Sequence, residues 1–398
     1  MYRFFPTDLT TRVRTLVTIF SFVTLTLTGC SLNTPAPSLS TTNSNTSSNS
    51  ISALNLNALQ SLPSITPDLS KYRIVFVGER HDQYADHLNQ LSIIKELFKH
   101  WKKNTTIGLE MIQQPFQGYL DRYIAGDISE REMLRGVEWY ERWRYDFRLY
   151  RPIFSYAKAN KIPLVALNIP KELTRKITKV GIEGLNSKER QYLPPLIDKS
   201  NPAYIKRITD VFGTHTRTSS KGIAKFLDAQ LAWDEGMAFS ASNYLQKNPA
   251  SRMIILAGAG HVINRSGIPN RLDRQLYSNS AVVLNNINEP LSPKQGDYLL
   301  FSPELNLPPQ GLMGISMGDS KKGVLVKAVM PHGSALKAGI LKGDMIIEID
   351  GQKIKHSSDV KLWGLDKKPN TIATIKLRRN DKVLIKNIEL KSRHQTTN

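Results

Sequence analysis

Between residues 56 and 298, short runs of β-branched and aliphatic residues alternate with longer stretches whose apolar positions follow helical spacing. This is the pattern of an α/β domain with a largely parallel sheet flanked by helices. Four runs predict buried strands: Ile74-Val75-Phe76-Val77, Thr106-Ile107-Gly108-Leu109, Leu164-Val165-Ala166-Leu167 and Met253-Ile254-Ile255-Leu256. Ala281-Val282-Val283-Leu284 is a fifth candidate. Leu88, Leu91, Ile94 and Leu97 line one side of a helix expected over 83–98, and a long helix is expected over 223–245. Beyond Pro303 the pattern changes to alternating strands punctuated by Gly-Asp and Asp-Gly, with a helix over 355–365. That predicts a second, small, mainly-β domain.

Polar residues follow the apolar runs directly. The first strand leads into Gly78-Glu79-Arg80-His81-Asp82, the second into Glu110, the third into Asn168 and the fourth into Gly258-Ala259-Gly260-His261. Ligands of open parallel sheets bind beyond the carboxyl ends of the strands, so Glu79, His81, Glu110, Asn168 and His261 are expected to line one crevice. Two strands carry the same device, Gly-x-x-His, in which glycine allows a tight turn and close backbone approach. The bland alternative makes each histidine a helix cap or an isolated polar contact. His87, near the start of the following helix, suits either a capping role or ligation. Gln230, Asp234 and Met237 share one face of the long helix, which places Asp234 either at the crevice or in solvent.

Between the second and third strands lies a helical insertion in which Trp139, Tyr140, Trp143, Tyr145, Phe147 and Tyr150 are interleaved with Arg142, Arg144, Arg148 and Arg151. An apolar wall edged with arginines suits a flat carboxylated macrocycle. It also suits a docking subdomain with guanidiniums on its rings, which is the preferred reading. The formal charge of +20 is scattered over every segment, so it predicts solvated surface and no nucleic-acid partner. The single cysteine excludes an intramolecular disulfide and multi-cysteine metal sites.

Residues 16–27 are apolar, follow Arg12 and Arg14, and are too short and threonine-rich for a comfortable membrane span. They end in Leu27-Thr28-Gly29-Cys30, which resembles the lipobox of bacterial lipoproteins. That resemblance implies a signal peptide over 1–29, lipidation of Cys30 and anchoring to the cell envelope, with Ser31 compatible with the outer membrane and a domain facing the periplasm. Ser, Thr and Asn fill 15 of the 20 positions 31–50, so residues 30–55 are expected to form a flexible tether.

The order of Gly78-Glu79-Arg80-His81-Asp82, Leu109-Glu110-Met111, Leu120-Asp121-Arg122-Tyr123, Arg151-Pro152, Ala166-Leu167-Asn168-Ile169-Pro170, Trp233-Asp234-Glu235-Gly236-Met237-Ala238 and Gly258-Ala259-Gly260-His261-Val262 resembles the ChaN-like haem-binding lipoproteins of the Tiki/TraB/erythromycin-esterase-like superfamily. The resemblance gives a domain over 56–300 and implies either of two chemistries. One is binding of haem or iron, with His81 or His261 and a tyrosine of the insertion as ligands. The other is metal-dependent hydrolysis, with His81, His261, Glu79 and Glu110 around Mn, Fe or Zn. A metal-free hydrolase with a histidine base and a non-catalytic envelope scaffold are further alternatives. The family's Thr is Arg80 here, a cation expected to oppose a bound metal ion or favour an anionic ligand.

Ala338-Gly339-Ile340, Gly343-Asp344 and Ile349-Asp350-Gly351, in that order, resemble a bacterial-type PDZ domain over 303–393. The resemblance implies capture of the C-terminal carboxylate of a peptide or protein partner by Leu312, Met313, Gly314 and Ile315, with oligomerisation, including a homo-oligomer, or internal docking as the alternative use. Leu325, Val360 and Leu362 are expected to pack in its core.

Overall fold

The computed structural model describes residues 55–213, 220–286 and 291–392; the expected signal peptide, Cys30 and nearly all of the tether lie outside them. Among the described residues no helix is long and apolar enough to cross a membrane. The chain forms two compact units. The first takes the chain up to Asp127 together with Pro152–Glu304, and the second takes Ile128–Arg151 together with the chain from Leu305 onward.

In the first unit all five expected runs are strands: β1 (Ile74–Glu79), β2 (Thr105–Gln113), β3 (Leu164–Asn168), β4 (Arg252–Gly258) and β5 (Ser280–Asn285). A short sixth, β6 (Tyr298–Leu300), was not anticipated. The order is β3-β2-β4-β1-β5-β6 and every pairing is parallel. Ile74 to Val77, Met253 to Leu256 and Ala281 to Leu284 are all buried, as strands covered on both faces require. The helix expected over 83–98 spans Tyr84–Trp101, and the one expected over 223–245 spans Ser220–Lys247. Met237, Ala238, Ala241 and Leu245 of the long helix pack with Phe76, Leu167 and Ile255 of the sheet. That packing fixes the rotation of the helix, and with it the direction of Asp234.

In the second unit β7 (Ile315–Ser320), β8 (Gly323–Val329), β9 (Met345–Ile349), β11 (Ile372–Arg379) and β12 (Lys382–Glu389) form an antiparallel sheet in the order β12-β11-β9-β8-β7, with β10 (Gln352–Lys353) paired to β9. The expected helix spans Ser357–Gly364. Val324, Val326, Ile346, Ile349, Val360, Trp363, Ile375 and Leu377 build the core. Leu362 is also buried, whereas Leu325, expected in the core, is only half-buried. Successive residues of a strand face opposite ways, so Val324 and Val326 take the inner face and Leu325 the other.

The insertion contributes helices Glu130–Gly136 and Trp139–Arg142 to this second unit. Trp139 is met edge-on by Phe147 at 5.1 Å and Tyr150 at 5.3 Å between ring centroids. Its indole N–H donates to the Tyr145 carbonyl at 2.8 Å. The arginines face outward from this cluster: Arg148 donates to the Pro308 carbonyl and Arg151 pairs with Glu130 and Asp366. The insertion is therefore a docking element, and its Tyr140 and Tyr150 are engaged in packing.

Candidate functional site

Strand register brings the two Gly-x-x-His turns together. β1 and β4 are neighbours, with Gly78 opposite Ala257 and Glu79 opposite Gly258. The turns leave the sheet side by side, one residue out of step. A Cβ built on Gly258 would lie 2.7 Å from His81 Cε1 and 3.1 Å from its Nε2, so the imidazole of one motif rests on the glycine of the other. Only a residue without a side chain permits that approach.

Glu79, Glu110 and Asn168 do not follow their strands, as expected from the sequence, but belong to them, Asn168 being the last residue of β3. Glu79 is the last residue of β1, and β2 runs on to Gln113. Leu109 is the last β2 residue paired with β4, and the pairing to β3 changes register between Leu109 and Gln113. Glu110 sits in that irregular stretch. Its Oε2 accepts the Gly258 N–H at 2.6 Å, and its carbonyl accepts Asn168 Nδ2 at 2.9 Å.

The two histidines are held differently. His81 Nδ1 lies 2.7 Å from Glu79 Oε1. His261 Nδ1 lies 2.6 Å from Asp234 Oδ1, and its Nε2 lies 3.3 Å from Glu110 Oε1. Both ring nitrogens of His261 thus face carboxylates, and His81 turns its Nδ1 to Glu79. Burial acts to lower the pKa of His81, but the charge and hydrogen bond of Glu79, with Glu110 adding, outweigh it and push the group up to about 8. Burial opposes charge in the His261–Glu110 pair as well, and the mutual attraction, with Asp234, wins: the imidazole is raised and the carboxyl lowered. Glu110, His261 and Asp234 therefore form a buried ion triad.

Residues that the sequence left unassigned complete the arrangement. Tyr204, on the helix Pro202–Gly213, donates its hydroxyl to Asp234 Oδ2 at 2.7 Å, and burial followed by the Asp234 charge holds that hydroxyl well above its ordinary pKa. Arg207, three positions on, donates to the Gly260 carbonyl at 2.9 Å and to Ser266 Oγ at 3.2 Å, and Arg271 donates to the Ser266 and Gly267 carbonyls. The His261 loop is thus clamped from two sides. No strand-end or glycine signal marks Tyr204; its helix lies outside every motif. His87 is buried, with Nε2 3.2 Å from the His81 carbonyl and Nδ1 3.1 Å from Gln90 Oε1, so it holds the first turn in place.

The expected influence of Arg80 needs correction. Its Nε and Nη2 donate to Asp86 at 3.0 and 2.9 Å, and Asp86 also accepts the Arg80 backbone N–H. The guanidinium is neutralised where it stands and exerts little net field on His81.

Two buried acceptors at the site, Glu79 Oε2 and Asn168 Oδ1, have no hydrogen-bond partner. Unsatisfied acceptors and an imidazole whose Nδ1 is backed by a carboxylate fit an iron-bearing ligand, because metal-ligating histidines adopt this backing. Among the described residues, no three His, Cys, Asp or Glu side chains are disposed to hold a bare metal ion.

In the second unit, Leu312 pairs with Lys391, the Met313 carbonyl accepts the Ala335 N–H and the Gly314 carbonyl accepts the Met330 N–H. Gly314 has φ +74°, which favours glycine, and Ile315 opens β7. β7 ends the sheet order, so one of its edges pairs with no strand among the described residues.

Comparison with known proteins adds two family matches. Residues 65–272, just over half of the chain, match the family described as haem-binding uptake, Tiki superfamily, ChaN; residues 311–390 match the PDZ domain. A solved structure titled as cofacial heme binding to ChaN of Campylobacter jejuni is 20% identical, covers 60% of this chain and 91% of its own, and gives a TM-score of 0.50, a likeness of fold. A PDZ domain of HtrA3 bound to a phage-derived ligand is 22% identical, covering 21% of this chain and 86% of its own with a TM-score of 0.19. A curated relative, the chloroplastic protein RETICULATA-RELATED 5 of Arabidopsis thaliana, is 25% identical over 240 residues; the match spans 53% of this chain and 31% of that protein's length.

Proposed function

The chain belongs to the ChaN family of haem-binding uptake proteins in the Tiki superfamily, and on that premise we propose that the crevice above β1, β2 and β4 binds haem with His81 as its iron ligand. The observation that carries the reading is the Glu79–His81 pair, which fixes Nδ1 on a carboxylate, the backing that metal-ligating histidines adopt. His261 has a different role. Held between Glu110 and Asp234, it keeps its proton and supports the site as a charged hydrogen-bond donor. Haem, when bound, supplies a redox-active iron; the chain supplies the orientation of one imidazole and a buried, carboxylate-rich surround. Titration of the purified protein with hemin tests this directly. A saturable shift of the visible band, lost in His81→Ala and weakened but present in His261→Ala, is expected; the same titration in both variants as in the parent overturns it.

The PDZ domain captures a free C-terminal carboxylate at the Met313–Gly314 backbone, with the peptide added as a strand along β7. Among the described residues neither the Met313 nor the Gly314 amide donates to another backbone carbonyl, which supports this use. Peptides with a hydrophobic tail should bind and their amidated counterparts should not. Lipidation of Cys30 would place both domains on the bacterial envelope at the outer membrane, facing the periplasm, a reading supported by the apolar run and the Leu27–Cys30 sequence. Incorporation of labelled palmitate that survives Cys30→Ala rules it out.

A further inference from the structure

The helix Ser357–Gly364 is short, and an isolated helix of eight residues is not stable in water; tertiary contacts must hold it. One face is buried in the PDZ core through Val360 and Trp363. Beside that face, Asp359 and Leu362 at i and i+3, with Asp366 two residues past the helix end, are met by the insertion. Arg135 Nη2 donates to Asp359 at 3.2 Å, in the first turn. Lys361 Nζ lies 5.3 Å from the centre of the Tyr140 ring. Arg131 donates to the Leu362 carbonyl at 2.7 Å and to Asp366 Oδ2 at 2.9 Å, and Arg151 reaches the other oxygen of Asp366. The Leu362 carbonyl lies in the last turn of the helix, where positive charge is favoured, and also accepts the Leu365 N–H at 3.4 Å. A residue 231 positions upstream thus adds a charged donor to the C-terminal end of the helix.

This helix and the unpaired edge of β7 are the two walls between which an added strand would lie. They are tied at one end, where the Ser357 N–H donates to Asp319 Oδ1 at 2.6 Å. The position of the helix elsewhere along the groove depends on what holds its outer face. We propose that Arg131, Arg135 and Tyr140 of the insertion are positioning residues of the peptide groove, so that the binding site is a composite of two segments distant in sequence. The proposal rests on the reading of the PDZ domain as a carboxylate-capturing module, and its test separates the two.

The test uses the full chain, a hydrophobic-tailed peptide with a free carboxylate, and two readouts: peptide affinity by fluorescence and amide hydrogen exchange across 357–364. Asp366→Arg, which sets a cation against Arg131 and Arg151, should weaken the peptide roughly three- to tenfold, the order expected when two partly exposed ion pairs are lost. It should also speed exchange in the helix, and Arg131→Glu added to Asp366→Arg should recover much of both. Parent-like affinity and exchange in Asp366→Arg overturn the proposal, as does a loss of affinity that the compensating substitution leaves untouched. A parent chain that ignores the peptide, yet shows faster helix exchange in Asp366→Arg, removes the capture reading while the brace stands.

Discussion

Replacing Glu79 by Gln separates two effects that the carboxylate has on His81. In the parent, a proton on His81 must leave before Nε2 can coordinate. With the group raised to about 8, the competent fraction is about one in eleven at pH 7 and about ten in eleven at pH 9, so apparent hemin affinity should rise about tenfold between them. Glu79→Gln removes the larger of the two charges that raise the group and leaves burial, the largest influence and a lowering one, opposed only by Glu110. The imidazole is then mostly neutral at pH 7, and the rise with pH should largely vanish. The same substitution loosens the ring orientation, and loss of such a backing group weakens metal binding about 10- to 100-fold. At pH 9 only this second effect remains, and the variant should bind about 10- to 100-fold more weakly than the parent. At pH 7 relief from the proton offsets most of it, and the difference should shrink to within about tenfold. Hemin titrations followed in the visible at both pH values measure all four affinities. A parent affinity that is flat from pH 7 to 9, or a Glu79→Gln deficit of equal size at both, refutes the coupling of ligation to the His81 proton.

Other outcomes follow from the same geometry. His81 is raised in the folded protein, so its stabilisation is complete below about pH 6.5 and is lost as pH rises through about 8, amounting to about 2 kcal/mol. Glu110 is lowered, so its contribution is present above about pH 4.5 and fades as pH falls toward 2. Thermal unfolding of the apo-protein should therefore show a plateau between about pH 4.5 and 6.5 with a decline above it; a melting temperature still climbing at pH 9 contradicts this. Gly258→Ala drives a methyl into the His81 ring and should cost about 1–3 kcal/mol of stability while sharply weakening hemin binding, read by calorimetry and titration on the same sample. Asp234→Asn takes one anion from the triad and strands part of the His261 charge, at a cost of about 3 kcal/mol in chemical denaturation, whereas Asp82→Asn, exposed beside His81, should change little.

The sheet was legible because Ile74 to Val77, Met253 to Leu256 and their counterparts are runs that only a strand buried on both faces requires. The convergence of His81 and His261 was legible for the same reason: both follow such runs, and parallel strands end on one edge. What separates the two imidazoles was not. The register shift beside Glu110 is a property of the β2–β3 pairing, which neither run carries on its own. Tyr204, Arg207 and Arg271 carry no local signal, since a tyrosine and two arginines on amphipathic helices read as ordinary surface. Arg80 was misjudged because its partner, Asp86, lies six positions further on in the first turn of the next helix, and a charge in a sequence does not announce what cancels it. The insertion's aromatics pointed to packing, but nothing in their spacing named a helix more than 200 positions away as the surface they meet.

Arg80 and Asp86 also constrain how this site can drift over generations. Asp86 is fully buried and accepts three hydrogen bonds from Arg80, one from the backbone and two from the guanidinium. Any shorter residue at position 80 keeps the first and forfeits the others, leaving an uncompensated anion directly beneath the turn that presents His81. Natural variants should accordingly exchange the two positions in concert, basic with acidic or neither, and a lineage carrying threonine at the first should have relinquished the carboxylate at the second or supplied it with another cation.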